Sequence, residues 1–188
     1  LIILTLPNIA LTGKLRAGKS LVGDYLASKY GYTQFAFGDE LKRDFHRRYP
    51  EIPRDPKPRA GYQFHGQFMR EHVDADVWIR KCLAEVQRAY YANLDFRAVI
   101  SDVRQLNEAD ALAARSYVLI RVTAPDGLRI ERAVNSGDTF NYADLAHGTE
   151  TALDGYAADF TVVNDGTLDA LYAQIDEIIA GLTLKEAA

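Results

Sequence analysis

Short apolar runs alternate with amphipathic stretches along the chain, and their periods predict its elements. NIALT (8–12) is β-prone. After a glycine turn, KSLVGDYLASKYG carries apolar residues at Leu21, Val22, Tyr25, Leu26 and Tyr30, a helical spacing closed by Gly31. YTQFAFG (32–38) reads as a second strand, and DELKRDFHRRY as a helix with acids at its start and bases towards its end, which suits the macrodipole. Residues 50–60 hold four of the chain's six prolines and read as an irregular connection. Helical patterns follow at 61–72 and 75–92, then a buried strand FRAVIS (96–101), a helix VRQLNEADALAAR, a strand SYVLIRVT (116–123) and a helix APDGLRIERAVN. SGDTFNYADLAHGT (136–149) shows no period. ADFTVVND (158–165) supplies a last strand and LDALYAQIDEIIAGL a last amphipathic helix.

Five strands alternating with helices predict an α/β fold: a mainly parallel five-stranded sheet inside a three-layer α/β/α sandwich, since parallel neighbours need crossover connections. Ligands in such sheets sit beyond the carboxyl ends of the strands. The loops after residues 12, 37, 101 and 123 are therefore expected around one site.

Composition narrows the classes. At 188 residues, 48% hydrophobic and 26% charged, the chain suits one globular domain. A net charge of −4 argues against polymeric nucleic acid as partner. The one cysteine, Cys82, cannot form an internal disulfide and suits a reducing cytoplasm. No cysteine and histidine spacing of a zinc site occurs, and His46, His65, His72 and His147 form no metal spacing. The apolar opening is too short to span a bilayer, so no membrane partner is expected.

GKLRAGKS (13–20) matches G-x-x-x-x-G-K-[ST], the phosphate-binding P-loop, and it stands where the motif requires, after a strand and before a helix. Gly13 and Gly18 permit the backbone angles, and the helix tip points N–H groups and a positive dipole end at an anion. Lys19 is expected on the β- and γ-phosphates of ATP, and Ser20 on Mg²⁺. Lys14, Ala17 and Leu21 complete the nucleotide-binding stretch, and Arg16 can reach the transferring phosphoryl group. Asp102, expected just past a strand, is a second candidate for Mg²⁺. No Glu follows it, as a motor-type ATPase would require, and no Asn-Lys-x-Asp motif reads guanine.

Arginine outnumbers lysine 15 to 7, and its planar fork suits a protein that holds two phosphorylated substrates. Asp39, Lys42 and Arg43 follow the second strand, where a phosphorylated acceptor would lie. Arg70, Arg104 and Arg132 fall in other candidate site segments. The aperiodic stretch, taken as about 132–152, reads as a lid whose closure excludes water, and 39–92 as a helical acceptor-binding insertion.

TGKLRAGKS, FAFGDELK, YQFHGQFMRE with DADVWIRK, ISDVRQLNEAD and TETALDGYAADFTVVNDGT together resemble the phage and bacterial deoxynucleoside monophosphate kinases. These are P-loop kinases related to dephospho-coenzyme A kinase and animal-type phosphomevalonate kinase, and the resemblance covers about residues 8 to 180. It implies the nucleoside monophosphate kinase-like fold and transfer of the ATP γ-phosphoryl group to a (deoxy)nucleoside monophosphate. Lys19 and Ser20 would handle phosphates and Mg²⁺; Asp39 and Lys42 would line the acceptor site; Arg70 and Arg104 would hold its phosphate. Asp102 would serve near metal or acceptor, Arg132 would close from the lid, and Asn164 and Gly166 would lie by the adenine.

One departure stands out. Related kinases often carry a second lid arginine where this chain has Ser136, so either Arg16 or Arg129 supplies that charge or turnover is weaker. Two alternatives remain: a kinase for dephospho-coenzyme A or another phosphorylated metabolite, and a regulatory nucleotide-binding module without turnover. Trp78 and Met69 are expected in the core. Tyr62, Phe64 and Phe68 are read first as core and second as base-stacking rings.

Overall fold

The first strand, β1 (Ile9–Thr12), is buried along its whole length, as a mostly apolar run with a neighbouring strand on each side must be. The computed structural model describes residues 6–93, 95–136 and 151–186. After β1 come α1 (Lys19–Tyr30), β2 (Thr33–Phe35), α2 (Phe37–Arg48), α3 (Arg59–His72), α4 (Val77–Ala92), β3 (Ala98–Val103), α5 (Leu106–Ala113), β4 (Val118–Thr123), α6 (Asp126–Asn135), β5 (Phe160–Val163) and α7 (Leu168–Glu186).

The five strands form one sheet in the order β2-β3-β1-β4-β5. β1 pairs in parallel with β3, Ile9 opposite Val99, and with β4, Thr12 opposite Arg121; β4 pairs in parallel with β5. This is the expected α/β arrangement around a five-stranded sheet. The order puts β1 in the middle of the sheet, so its carboxyl end, where the glycine turn begins, is flanked by the ends of β3 and β4.

The chain divides into two compact units, Phe35–Leu94 and the remainder. In the sheet-bearing unit, Ile9, Leu11, Val22, Leu26, Val99, Ile120, Val122 and Ile175 form the core. Each such side chain contributes roughly 1.5–3 kcal/mol by leaving water. In the helical unit, Phe45, Met69, Trp78 and Cys82 are buried. Asp44, also buried, accepts hydrogen bonds from Lys81 Nζ (2.7 Å), Arg48 Nε (2.8 Å), His65 Nε2 (2.9 Å) and Arg47. Burial alone would raise the Asp44 pKa, but Lys81, Arg48 and His65 outweigh it and hold the carboxyl below the usual carboxylate range.

Three expectations need correction. The second strand ends at Phe35, not residue 38, because α2 already starts at Phe37. β3 runs on to Val103, so Asp102 lies within the strand and Arg104 is the first residue beyond it. Phe64 and Phe68 are 71% and 44% exposed, which rules out the core reading, whereas Trp78 (1%) and Met69 (5%) are buried as expected. Among the described residues no helix is long and apolar enough to cross a membrane.

Candidate active site

From Thr12 the chain turns into α1 through two residues that only glycine accommodates. Gly13 has φ +136° and Gly18 φ +110°. A Cβ on Gly13 would run into the Val122 carbonyl oxygen, and one on Gly18 into the Asn164 side-chain amide. Arg16 also adopts left-handed backbone, φ +62°, which costs an L-residue roughly 1 kcal/mol or more. The N-terminus of α1 has no side-chain cap and no acid in its first turn. Lys19 Nζ folds back over the loop and donates to the carbonyls of Gly13 (2.5 Å) and Lys14 (3.0 Å). A loop pinched by two glycines, an uncapped helix tip and an inward-folded ammonium form a donor set suited to polyphosphate.

Three side chains grip the outside of this loop. Arg129 Nε donates to Leu15 O (2.8 Å), Arg132 Nη1 to Arg16 O (3.4 Å) and Asn164 Nδ2 to Ala17 O (2.9 Å). In a planar trans peptide a carbonyl and the next N–H point opposite ways. Gripping these three consecutive carbonyls therefore turns the N–H groups of Arg16, Ala17 and Gly18 to the opposite side of the loop. In this structure the Ala17 N–H closes a turn onto Lys14 O at 3.2 Å. Arg132 also reaches the Asn164 carbonyl (3.2 Å) and its Oδ1 (3.3 Å), tying the grips together.

Beside the loop lies a cavity of about 210 Å³, whose lining includes Thr12, Lys14, Arg104, Arg121, Arg129 and Asp154. Arg104 is held at its mouth by local sequence. Glu108, in the first turn of α5, accepts the backbone N–H groups of Arg104 (2.8 Å) and Gln105 (3.0 Å) as part of a capping box. Arg121 Nη2 donates to Leu153 O and Tyr156 O, both at 2.7 Å, and so fixes the return segment that carries Asp154. Lys14 Nζ lies 3.5 Å from Asp154 Oδ2. Arg16 Nη2 donates to Ser136 Oγ at 2.7 Å.

The sheet-bearing unit thus gathers Gly13 to Ser20, Arg104, Arg132 and Asn164 around one loop and cavity. Asn164 is 2% exposed, and Gly166 lies in the exposed turn after β5. Ser20 and Leu21 are exposed, and Asp102 is half-buried. The helical unit brings Asp39 and Lys42 together as an ion pair of 2.7 Å on α2, and carries a half-buried Arg70 on α3. Of the proposed lid, about 132–152, residues 132–135 belong to α6, and 137–150, His147 among them, lie outside the described residues. Among the described residues no group of three or more His, Cys, Asp or Glu side chains could hold a metal ion.

A family model for deoxynucleotide monophosphate kinase matches residues 62–175. The chain belongs to the deoxynucleotide monophosphate kinase family. A protein of Acanthamoeba polyphaga mimivirus, assigned provisionally to the same activity, is 26% identical over 193 residues, spanning 89% of this chain and 93% of its own. TT1252 from Thermus thermophilus shares the fold with a TM-score of 0.62 at 21% identity, over 94% of this chain and 98% of its own. A shikimate kinase from Acinetobacter baumannii, solved with shikimate, does so with a TM-score of 0.56 at 19% identity, over 94% of each chain. Family and fold together make this chain a kinase-like phosphotransferase.

Within this family member, sequence patterns passed over Arg121 and Asp154. Arg121 had a signal, a lone cation inside the apolar strand VLIRVT. Asp154 had none, because its role depends on where the chain returns to the sheet.

Proposed function

We propose that the protein transfers the γ-phosphoryl group of ATP to a (deoxy)nucleoside monophosphate in the cytoplasm. The observation that carries this reading is the glycine-pinched loop over an uncapped α1, with Lys19 folded across it, in a chain of the deoxynucleotide monophosphate kinase family.

Lys19 and the loop N–H groups bind the triphosphate tail, exchanging the Gly13 and Lys14 carbonyls for phosphate oxygens. Ser20 and Asp102 would hold Mg²⁺, which would neutralise phosphate charge. Asn164 serves the nucleotide by holding Ala17, and Gly166 lets the turn after β5 approach the base.

For the acceptor, Asp39 and Lys42 are assigned to its site and Arg70 and Arg104 to its phosphate. An acceptor phosphate oxygen attacks the γ-phosphorus, the bond to the β,γ-bridging oxygen breaks, and its electron pair leaves on ADP. The acceptor is largely ionised near neutral pH, since the second phosphate pKa is about 6, so no strong general base is required. Arg16 and Arg132 stabilise the charge spread over the transferring group.

ADP release measured with a panel of deoxynucleotides, ribonucleotides and dephospho-coenzyme A tests the reading. Turnover on a nucleoside monophosphate supports it; turnover only on dephospho-coenzyme A overturns the acceptor. Tight ATP binding with no transfer to any member overturns the enzyme.

A further inference from the structure

Arg129, so far a candidate for the missing lid charge and one of the three grips on the loop, has capacity to spare. It is 4% exposed, and its guanidinium is only partly used. Nε donates to the Leu15 carbonyl at 2.8 Å and Nη1 to Asp126 Oδ1 at 2.5 Å. Nη2 is buried and has no hydrogen-bond partner among the described residues. Asp126 is itself 78% exposed, so water weakens its compensation of this buried charge. A buried N–H without an acceptor is unfavourable, and more so on a cation. Such a group persists where a ligand is to complete it.

The place of Arg129 says which ligand. It lines the cavity beside the loop with Thr12, Gly13, Lys14 and Arg104, where cations outnumber acids. The atom that grips Leu15 and the unsatisfied nitrogen belong to one rigid planar fork, so a ligand oxygen on Nη2 is bound in fixed register with the loop.

Resting on the phosphotransferase reading, we propose that Arg129 is a positioning and binding residue that holds the loop through Leu15 and donates Nη2–H to a phosphoryl oxygen in the cavity. The oxygen belongs either to the triphosphate tail or to the acceptor monophosphate. Lysine keeps the charge but cannot make both contacts at once.

The test is arginine side-chain NMR on the wild-type protein, with the Arg129 resonances assigned by comparison with Arg129→Lys. Separate samples receive Mg²⁺ with a non-hydrolysable ATP analogue, Mg²⁺ with pyrophosphate, or a deoxynucleoside monophosphate. Slowed Nη hydrogen exchange at Arg129 with the analogue and pyrophosphate assigns the oxygen to the donor tail; slowing with the monophosphate alone assigns it to the acceptor. Calorimetry should show Arg129→Lys weakening the responsible ligand about tenfold, while adenosine binding stays unchanged. If the wild type binds the analogue and the monophosphate with no change at Arg129, this inference fails and the phosphotransferase reading stands. If it binds no phosphate ligand at all, both fail.

Discussion

The side-chain amide of Asn164 donates to the Ala17 carbonyl at 2.9 Å, joining residues 147 positions apart in a fully buried contact. The same amide occupies the space that a Cβ on Gly18 would need. Loop and buttress are therefore one object: the glycine is small because the asparagine is there, and the asparagine holds the carbonyl whose peptide partner is the Gly18 N–H. Asn164→Ala leaves the Ala17 carbonyl buried without its donor and should destabilise the protein by about 1–3 kcal/mol. Urea unfolding reads that loss. Calorimetry with Mg²⁺ and an ATP analogue should show weakened binding beside it, and unchanged nucleotide affinity would separate Asn164 from the loop's function.

Gly13 gives a harsher test, because its obstacle is backbone. Its φ of +136° is strained for any side chain, and the atom a Cβ would meet is the Val122 carbonyl oxygen of the neighbouring strand. Neither can move without disturbing the β1–β4 pairing. Gly13→Ala should cost more than about 2 kcal/mol and abolish triphosphate binding. Thermal melting with and without the nucleotide analogue measures both, and a variant that melts like wild type and is still stabilised by nucleotide would contradict the geometry.

Lys19 is a different case, since its ammonium folds back onto the loop. Lys19→Ala removes its part-buried contacts to the Gly13 and Lys14 carbonyls, and stability should change by less than about 1 kcal/mol. Turnover should fall by about 10²–10³-fold, the scale of losing one preorganised donor to developing charge. Steady-state kinetics of folded variant and wild type would decide it.

Much of this is legible in the sequence alone. The P-loop, the helix closed by Gly31 and the alternation of five strands with helices follow from local chemistry, spacing and turn residues that depend on near neighbours. What stayed hidden depends on distant ones. That Asn164 faces Ala17, or that Arg129 and Arg132, one turn apart on α6, grip successive loop carbonyls, is decided by how β4 and β5 carry those segments back beside β1. The strand ends were misplaced for a related reason. Asp102 reads as a loop residue because it is charged, yet β3 runs two residues past the expected end and pairs Val103 with Thr12 beyond an irregularity in the register. Phe64 and Phe68 looked like core because they are large and apolar, but α3 buries its other face through His65, Gly66 and Met69.

Arg16 reaches Ser136 Oγ at 2.7 Å, at the position where related kinases were expected to carry a lid arginine. If the loop supplies the charge that the lid lacks, Arg16→Ala should lower kcat by about 10-fold or more while leaving the melting temperature within a degree or two. Ser136→Ala removes a hydroxyl that accepts from Arg16 and donates to the Ala133 carbonyl at 2.8 Å, and should change kcat by less than about twofold. Equal losses in the two variants would assign the effect to the contact rather than to the guanidinium.

Asp44 allows a pH prediction for the helical unit. Its side chain is 1% exposed and faces Lys81, Arg47, Arg48 and His65, and its carboxyl is held below the usual carboxylate range. In the unfolded chain it titrates near pH 4. Folding therefore favours the ionised form, and the stabilisation is present in full above that pH. It is lost as pH falls below about 4 towards the lower folded value, because the unfolded state takes up the proton first. Asp44→Asn should lower stability at pH 7 by about 3 kcal/mol, the scale of removing one partner from a buried ion pair. It should also flatten the stability profile between about pH 4 and pH 2 relative to wild type. Urea unfolding across that range measures both, and a wild-type profile whose acid slope survives in Asp44→Asn would place the responsible carboxylate elsewhere.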